Sequence, residues 1–154
     1  MARRIGLVAA SKRRRGGIAR AHEQFDLSPV FRRARDFCDR SYSEWYVLST
    51  VYLLAPPQRV IGANEPALYL LSAAERVAWA GAVAGQLRAR VGRSAEPLTF
   101  ILYASQLYAE LLVRMAPDVT FEMPLTGMSF VERLHWYDDR LRTQPRVLAS
   151  PARV

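Results

Sequence analysis

The strongest constraint on this chain is an alternation. Four short apolar runs, Arg4–Ala10, Trp45–Thr50, Leu98–Tyr103 and Val119–Met123, are each followed by a helix-start signal. Ser28-Pro29 reads as an N-cap with proline at the first helical position. Ser72-Ala73-Ala74-Glu75 and Ser129-Phe130-Val131-Glu132 are capping boxes, in which the serine oxygen and the glutamate satisfy orphan amides. Ser105 can cap a fourth helix, which must end before Pro117. Strands alternating with helices, without a hairpin turn signal, predict an α/β fold: one three-layer domain whose mostly parallel sheet of about four strands carries helices on both faces.

Apolar spacing fills in the helices. Val30, Phe31, Ala34 and Phe37 or Cys38 make the inner stripe of the first. Val77, Ala80, Ala84, Leu87 and Val91 make that of the second, with Gly92 as a stop. Leu107, Leu111 and Met115 serve the third, and Phe130, Leu134, Tyr137 and Leu141 the fourth. The stretch from Pro56 to about Leu71 has no clear period. Residues 1–142 are read as the single domain, with a basic loop at 12–20, and residues 143–154 as a flexible C-terminal tail.

Composition narrows the chemistry. The 154 residues are 51% hydrophobic and 23% charged, as in an ordinary globular protein. One cysteine, Cys38, excludes an intrachain disulfide framework and a cysteine-rich zinc site. Two histidines, His22 and His135, argue against a multi-histidine metal centre, and they read as local hydrogen-bonding residues. The reading is therefore no metal and no cofactor. No apolar run is long enough to span a membrane, and the basic-then-apolar start is too short for a signal peptide. The chain is read as cytoplasmic, with no membrane partner.

The net charge is +8, and residues 1–40 hold eleven basic side chains against four acidic ones. Such one-sided charge attracts polyanions, DNA or another nucleic acid above all, although a solvated basic tail would look the same. Arg13, Arg14, Arg15 and Arg20 are the candidate nucleic-acid contacts. Twenty-one of the 22 basic residues are arginine, which singles out Lys12 as a place where an amine is wanted.

Ligands of open α/β sheets bind beyond the carboxyl ends of the strands. That rule selects Ser11 and Lys12 after the first strand, Ser49 to Tyr52 after the second, and Tyr103 to Gln106 after the third. Hydroxyls, phenols, one amine and an amide suit a base, a sugar or a phosphate. Tyr52 and Tyr103, at strand ends, are the aromatic residues placed to touch a ligand. Neither GxxxxGK[ST] nor GxGxxG is present, so ATP hydrolysis and dinucleotide redox chemistry lose their footing. The zinc deaminase signature is absent as well. Lys12 can hold a phosphate or attack a sugar C1′. Among Glu23, Glu65 and Glu110, Glu65 lies in the irregular stretch where loops carry sites, while Glu110 reads as a solvated helix residue.

Three segments then fall into an order. Ala9-Ala10-Ser11-Lys12, Phe25-Asp26-Leu27-Ser28-Pro29-Val30-Phe31 and Trp45-Tyr46-Val47-Leu48-Ser49-Thr50-Val51-Tyr52-Leu53-Leu54 resemble a widespread bacterial and phage family of unknown function, with its S-C-S-K and W-Y-I-L-S-A-K-Y-G-L patterns. Leu71–Arg76 and Phe121–Met128 fit the same order. That family is distantly similar to the YaaA-type peroxide-stress proteins and to the lysine-bearing domain of archaeosine synthase. The resemblance implies a nucleic-acid-directed, N-glycosidase-like enzyme, acting on DNA bases, with Lys12 and Glu65 at the scissile bond. It places Ser11, Ser28, Ser49 and Tyr52 on matching motif positions, and Tyr103 and Ser105 join them as substrate contacts by their place after the third strand. The chain departs from the pattern at Ala10, Val51, Leu53 and Ala63-Asn64-Glu65. A non-catalytic DNA-binding or accessory protein that has lost the polar site is the alternative.

Overall fold

The computed structural model describes residues 2–144. The expected tail 143–154 falls almost wholly outside them. Four runs become parallel strands: β1 (Arg3–Ala9), β3 (Trp45–Ser49), β6 (Leu98–Tyr103) and β7 (Thr120–Glu122). Four helices follow them in turn: α2 (Pro29–Ser41), α3 (Ala73–Gly92), α4 (Gln106–Met115) and α5 (Phe130–Thr143). The main sheet has the order β4-β3-β1-β6-β7, where β4 (Leu53–Ala55) runs antiparallel to β3 and closes one edge.

Side chains alternate across this sheet, as the two-residue strand period requires. Val8, Ile101 and Tyr103 enter one core with Phe31, Ala34 and Phe37 of α2 and Tyr137 of α5. Ile5, Leu7, Phe100 and Leu102 enter the other with Trp79, Val83 and Leu87 of α3 and Leu111 of α4. The result is the three-layer α/β domain expected. Gly6 lets α2 approach β1: a Cβ there would stand 2.9 Å from the Tyr42 ring and 3.0 Å from the Cys38 sulfur.

Ser28 accepts from the Phe31 amide, and both capping boxes close as expected. Ser105 differs. It occupies the N-cap position of α4, yet its side chain makes no capping bond. On α3 the buried stripe is Trp79, Ala80, Val83, Ala84 and Leu87, while Val77 and Val91 lie outside. The bulky Trp79 draws the core face round because its indole NH has a buried acceptor, the Ser49 carbonyl, at 2.9 Å. On α5, Phe130 is exposed and Tyr137 is fully buried.

The β3–β4 hairpin has no sequence signature because a side chain builds its turn. The Ser49 hydroxyl accepts from the amides of Val51, at 3.2 Å, and Tyr52, at 2.9 Å. Leu53 then takes a left-handed conformation, φ +61°, which costs a non-glycine residue about 1–2 kcal/mol. The aperiodic stretch holds β5 (Val60–Ile61) and a 3₁₀ turn at Leu68–Leu70. β5 pairs antiparallel with β2 (Ala19–Arg20), which leads into the single-turn helix α1 (Ala21–Gln24).

Candidate functional site

From β1 the chain crosses to β3 on one side; after α3 it returns to β6 on the other side of β1. Strand order therefore reverses between β1 and β6, and a crevice opens beyond their carboxyl ends, where such sheets bind ligands. Two cavities occupy it. One, of about 240 Å³, is lined by Ser11, Lys12, Arg14, Glu65, Ser105 and Tyr108 among others. The second, of about 220 Å³, lies toward α2 and α5 and includes Ser28, Tyr103 and Arg133. Ala10, Ser11, Ser105 and Tyr108 belong to both.

Glu65 is the most constrained charged group of the crevice, only 6% exposed. Its Oε1 accepts from the Ser49 hydroxyl at 2.8 Å. Its Oε2 accepts from the Thr50 amide at 3.1 Å and from the Thr50 hydroxyl at 3.3 Å. The turn that starts β4 thus also orients a carboxylate sixteen residues away in sequence. Arg14 fixes the other end of this loop by donating to the carbonyls of Ala63, at 2.7 Å, and Glu65. Tyr108 is packed edge-on against Trp79. Burial raises its phenol above the ordinary value, and the negative charge of Glu65 raises it further. Its hydroxyl has no hydrogen-bond partner among the described residues, and neither has the Lys12 ammonium. Lys12 is exposed at the rim, and Arg13 is exposed outside the lining of either cavity.

The remaining expected residues have structural partners. The Tyr103 hydroxyl shares a 2.5 Å hydrogen bond with that of Tyr42, inside an aromatic cluster with Phe37, Trp136 and Tyr137. The Tyr52 hydroxyl accepts from the Gly62 amide at 3.0 Å and braces the Glu65 loop, under the Arg59 guanidinium. Arg15 pairs with Asp26 at 2.9 Å, and Arg20 donates to Gln58 at 3.0 Å. Ser49 positions Glu65, and Ser28 caps α2 while lining the second cavity.

Sequence reading missed the Thr50 contacts, Tyr108 and Arg133. Tyr108 stands four residues before Leu112 on a face already known to be apolar, which marks it as inward. Arg133 stands three residues after Phe130 and four before Tyr137, the helical spacing of one face.

A larger cavity lies further along the same edge, about 720 Å³ over the ends of β6 and β7. Among the described residues no group of three or more His, Cys, Asp and Glu comes together to hold a metal, and no helix is long and apolar enough to cross a membrane. A family model described as a family of unknown function (DUF6884) matches residues 5–139, nearly the whole chain. No curated protein and no solved structure matches it.

Proposed function

From the premise that the chain belongs to the DUF6884 family of unknown function, we propose that it is a nucleic-acid-directed hydrolase of N-glycosidic bonds. One observation carries the reading: Glu65 is a buried carboxylate, held by Ser49 and Thr50, in the lining of a cavity that Lys12 shares. In this reaction water adds to C1′, the C1′–N bond breaks, and its electron pair leaves with the base nitrogen, which takes up a proton. Glu65 accepts the proton of the attacking water and stabilises the positive sugar. Lys12, exposed rather than buried, acts as a point charge on a substrate phosphate and not as a nucleophile. A cavity of about 240 Å³ sits just below the usual range for drug-sized ligands, about 300 Å³ and up, and suits one sugar or base. We further propose that the family is distantly related to the YaaA-type proteins and the archaeosine synthase domain, a kinship that would imply the same substrates.

The test is incubation with plain, damaged and hypermodified DNA, reading released base by mass spectrometry. Glu65→Gln is expected to lower release on the order of 10²–10⁴-fold, the usual reach of a general base, and Lys12→Ala at least about tenfold. Full turnover in both variants overturns the reading. Salt-dependent DNA binding without release by the native protein replaces it with the non-catalytic binder.

A further inference from the structure

The 720 Å³ cavity has an apolar floor of Leu102, Val113, Met123, Leu125 and Met128, with Gln106 and Glu110 on α4 at its side. Arg133 lines both this cavity and the 220 Å³ one beside it. Its Nε is shielded from solvent and has no hydrogen-bond partner. Its neighbours' charges are already used: Glu132 closes the capping box with Ser129, and Asp138 binds Arg33 at 2.7 Å. A shielded guanidinium NH without an acceptor is costly, and one on a cavity wall marks the place of an anion that arrives with a ligand. Ser105, which leaves its hydroxyl out of the α4 cap, lines the 220 Å³ cavity together with Arg133.

The floor suits a flat ring. Methionine sulfur packs favourably on aromatic faces, and two of the five floor residues are methionine. Gln106 donates to Glu110 at 2.8 Å, giving a fixed amide and carboxylate pair of the kind that reads a base edge. We propose that this groove is a nucleotide subsite: Arg133 takes the phosphate and the Leu/Met floor takes the base, with Gln106 and Glu110 at its edge. The choice of a nucleotide over another organic anion rests on the proposed function; the anion itself rests on Arg133.

Calorimetric titration of the full chain with deoxyadenosine 5′-monophosphate, deoxyadenosine and benzoate tests it. The monophosphate is expected to bind at least tenfold tighter than the nucleoside, and Arg133→Met to remove that advantage. Without ligand, Arg133→Met is expected to melt at or above the native temperature, since it removes a shielded NH that has no acceptor; Gln106→Ala, which leaves Arg133 in place, is expected to weaken both nucleoside and nucleotide. Equal binding of monophosphate and nucleoside overturns the proposal, as does tight monophosphate binding that Arg133→Met leaves unchanged. Arg133-dependent binding of benzoate with none of the monophosphate overturns the nucleotide assignment. These readouts need no catalysis. Monophosphate binding lost in Arg133→Met, in a protein that releases no base, removes the hydrolase reading and leaves the subsite standing. Glu65-dependent release with no Arg133 effect on binding does the reverse.

Discussion

The two edges of the sheet treat charge in opposite ways. At the amino edge, Glu44 binds Arg90 at 2.7 Å, Arg3 at 2.9 Å and the Tyr46 hydroxyl at 2.5 Å. Arg88 grips Asp118 nearby at 2.8 Å, and Arg4 holds Glu122 at 2.7 Å. At the carboxyl edge, Lys12 and Arg133 have no partner among the described residues, the Tyr108 hydroxyl is likewise free, and Ser105 leaves its helix uncapped. The buried carboxylate there, Glu65, is held by neutral donors, and its side chain meets no cation among the described residues. Paired charges return their desolvation cost to the fold; unpaired ones do not, and they persist where a ligand repays them. The basic excess of the first forty residues divides along the same line. Arg3, Arg4, Arg15, Arg33 and Arg35 are spent on carboxylates, which leaves Lys12 at the crevice and Arg13 exposed beside it in sequence.

If the amino edge serves stability, breaking it must cost folding and spare the site. Glu44→Ala strands Arg90 and part of Arg3, and is expected to cost about 2 kcal/mol, discounted for partial solvent access, with base release below the melting temperature unchanged. The Arg90 hydrogen bond, with those from Tyr46 and the charges of Arg90 and Arg3, outweighs burial and holds the Glu44 carboxyl at about 2 against an ordinary 4.5. A depressed carboxyl contributes its stability above the unfolded value and loses it as pH falls toward the folded one. Native stability should therefore decline between about pH 4.5 and 2, and Glu44→Gln should flatten that slope in acid denaturation monitored by circular dichroism. An unchanged slope would detach Glu44 from the acid limb.

Legibility follows the range of the interactions. The parallel strands and the four helix starts were readable because each signal is contained in a few residues: an apolar run, Ser28-Pro29, Ser72 with Glu75, Ser105, Ser129 with Glu132. The β3–β4 hairpin was not, since its turn uses the Ser49 side chain and a left-handed Leu53 where glycine or asparagine is the usual mark. The β2–β5 pair spans two residues on each side, too few for a period. At the site, Glu65 and Ser49 were each legible as residues, while the bond between them depends on how an aperiodic loop folds back. Arg133 was hidden by its type. An arginine on a helix reads as solvated, and only packing reveals which one lost its water.

A smaller effect separates two arginines of the basic loop. Arg13 is exposed and its guanidinium is unengaged, whereas Arg15 is bound to Asp26. In gel retardation across salt concentrations, Arg13→Ala should lower the slope of log affinity against log salt by about one, the share of a single phosphate contact. Arg15→Ala should leave the slope nearly unchanged and leave Asp26 to Arg35 alone. Equal slopes for both variants would mean that the loop meets nucleic acid as diffuse charge and not through particular residues.

The finest comparison lies within one residue type at four helix starts. Ser28, Ser72 and Ser129 accept from backbone amides of their own helices. Loss of such a cap typically costs about 1 kcal/mol. Ser105 sits at the same position of α4 with an extended backbone, φ −69° and ψ 166°, yet makes no such bond. Ser72→Ala should lower stability by about 1 kcal/mol and leave base release alone, while Ser105→Ala should leave the chemical denaturation midpoint where it was. Its effect should appear only when ligand is present, as weaker binding of the monophosphate probe, because Ser105 makes no capping bond to its own helix and lines the 220 Å³ cavity that Arg133 shares. A midpoint shift in Ser105→Ala as large as that of Ser72→Ala would show the hydroxyl capping α4 in solution. The carboxyl edge would then be built, at that point, for stability like the amino edge.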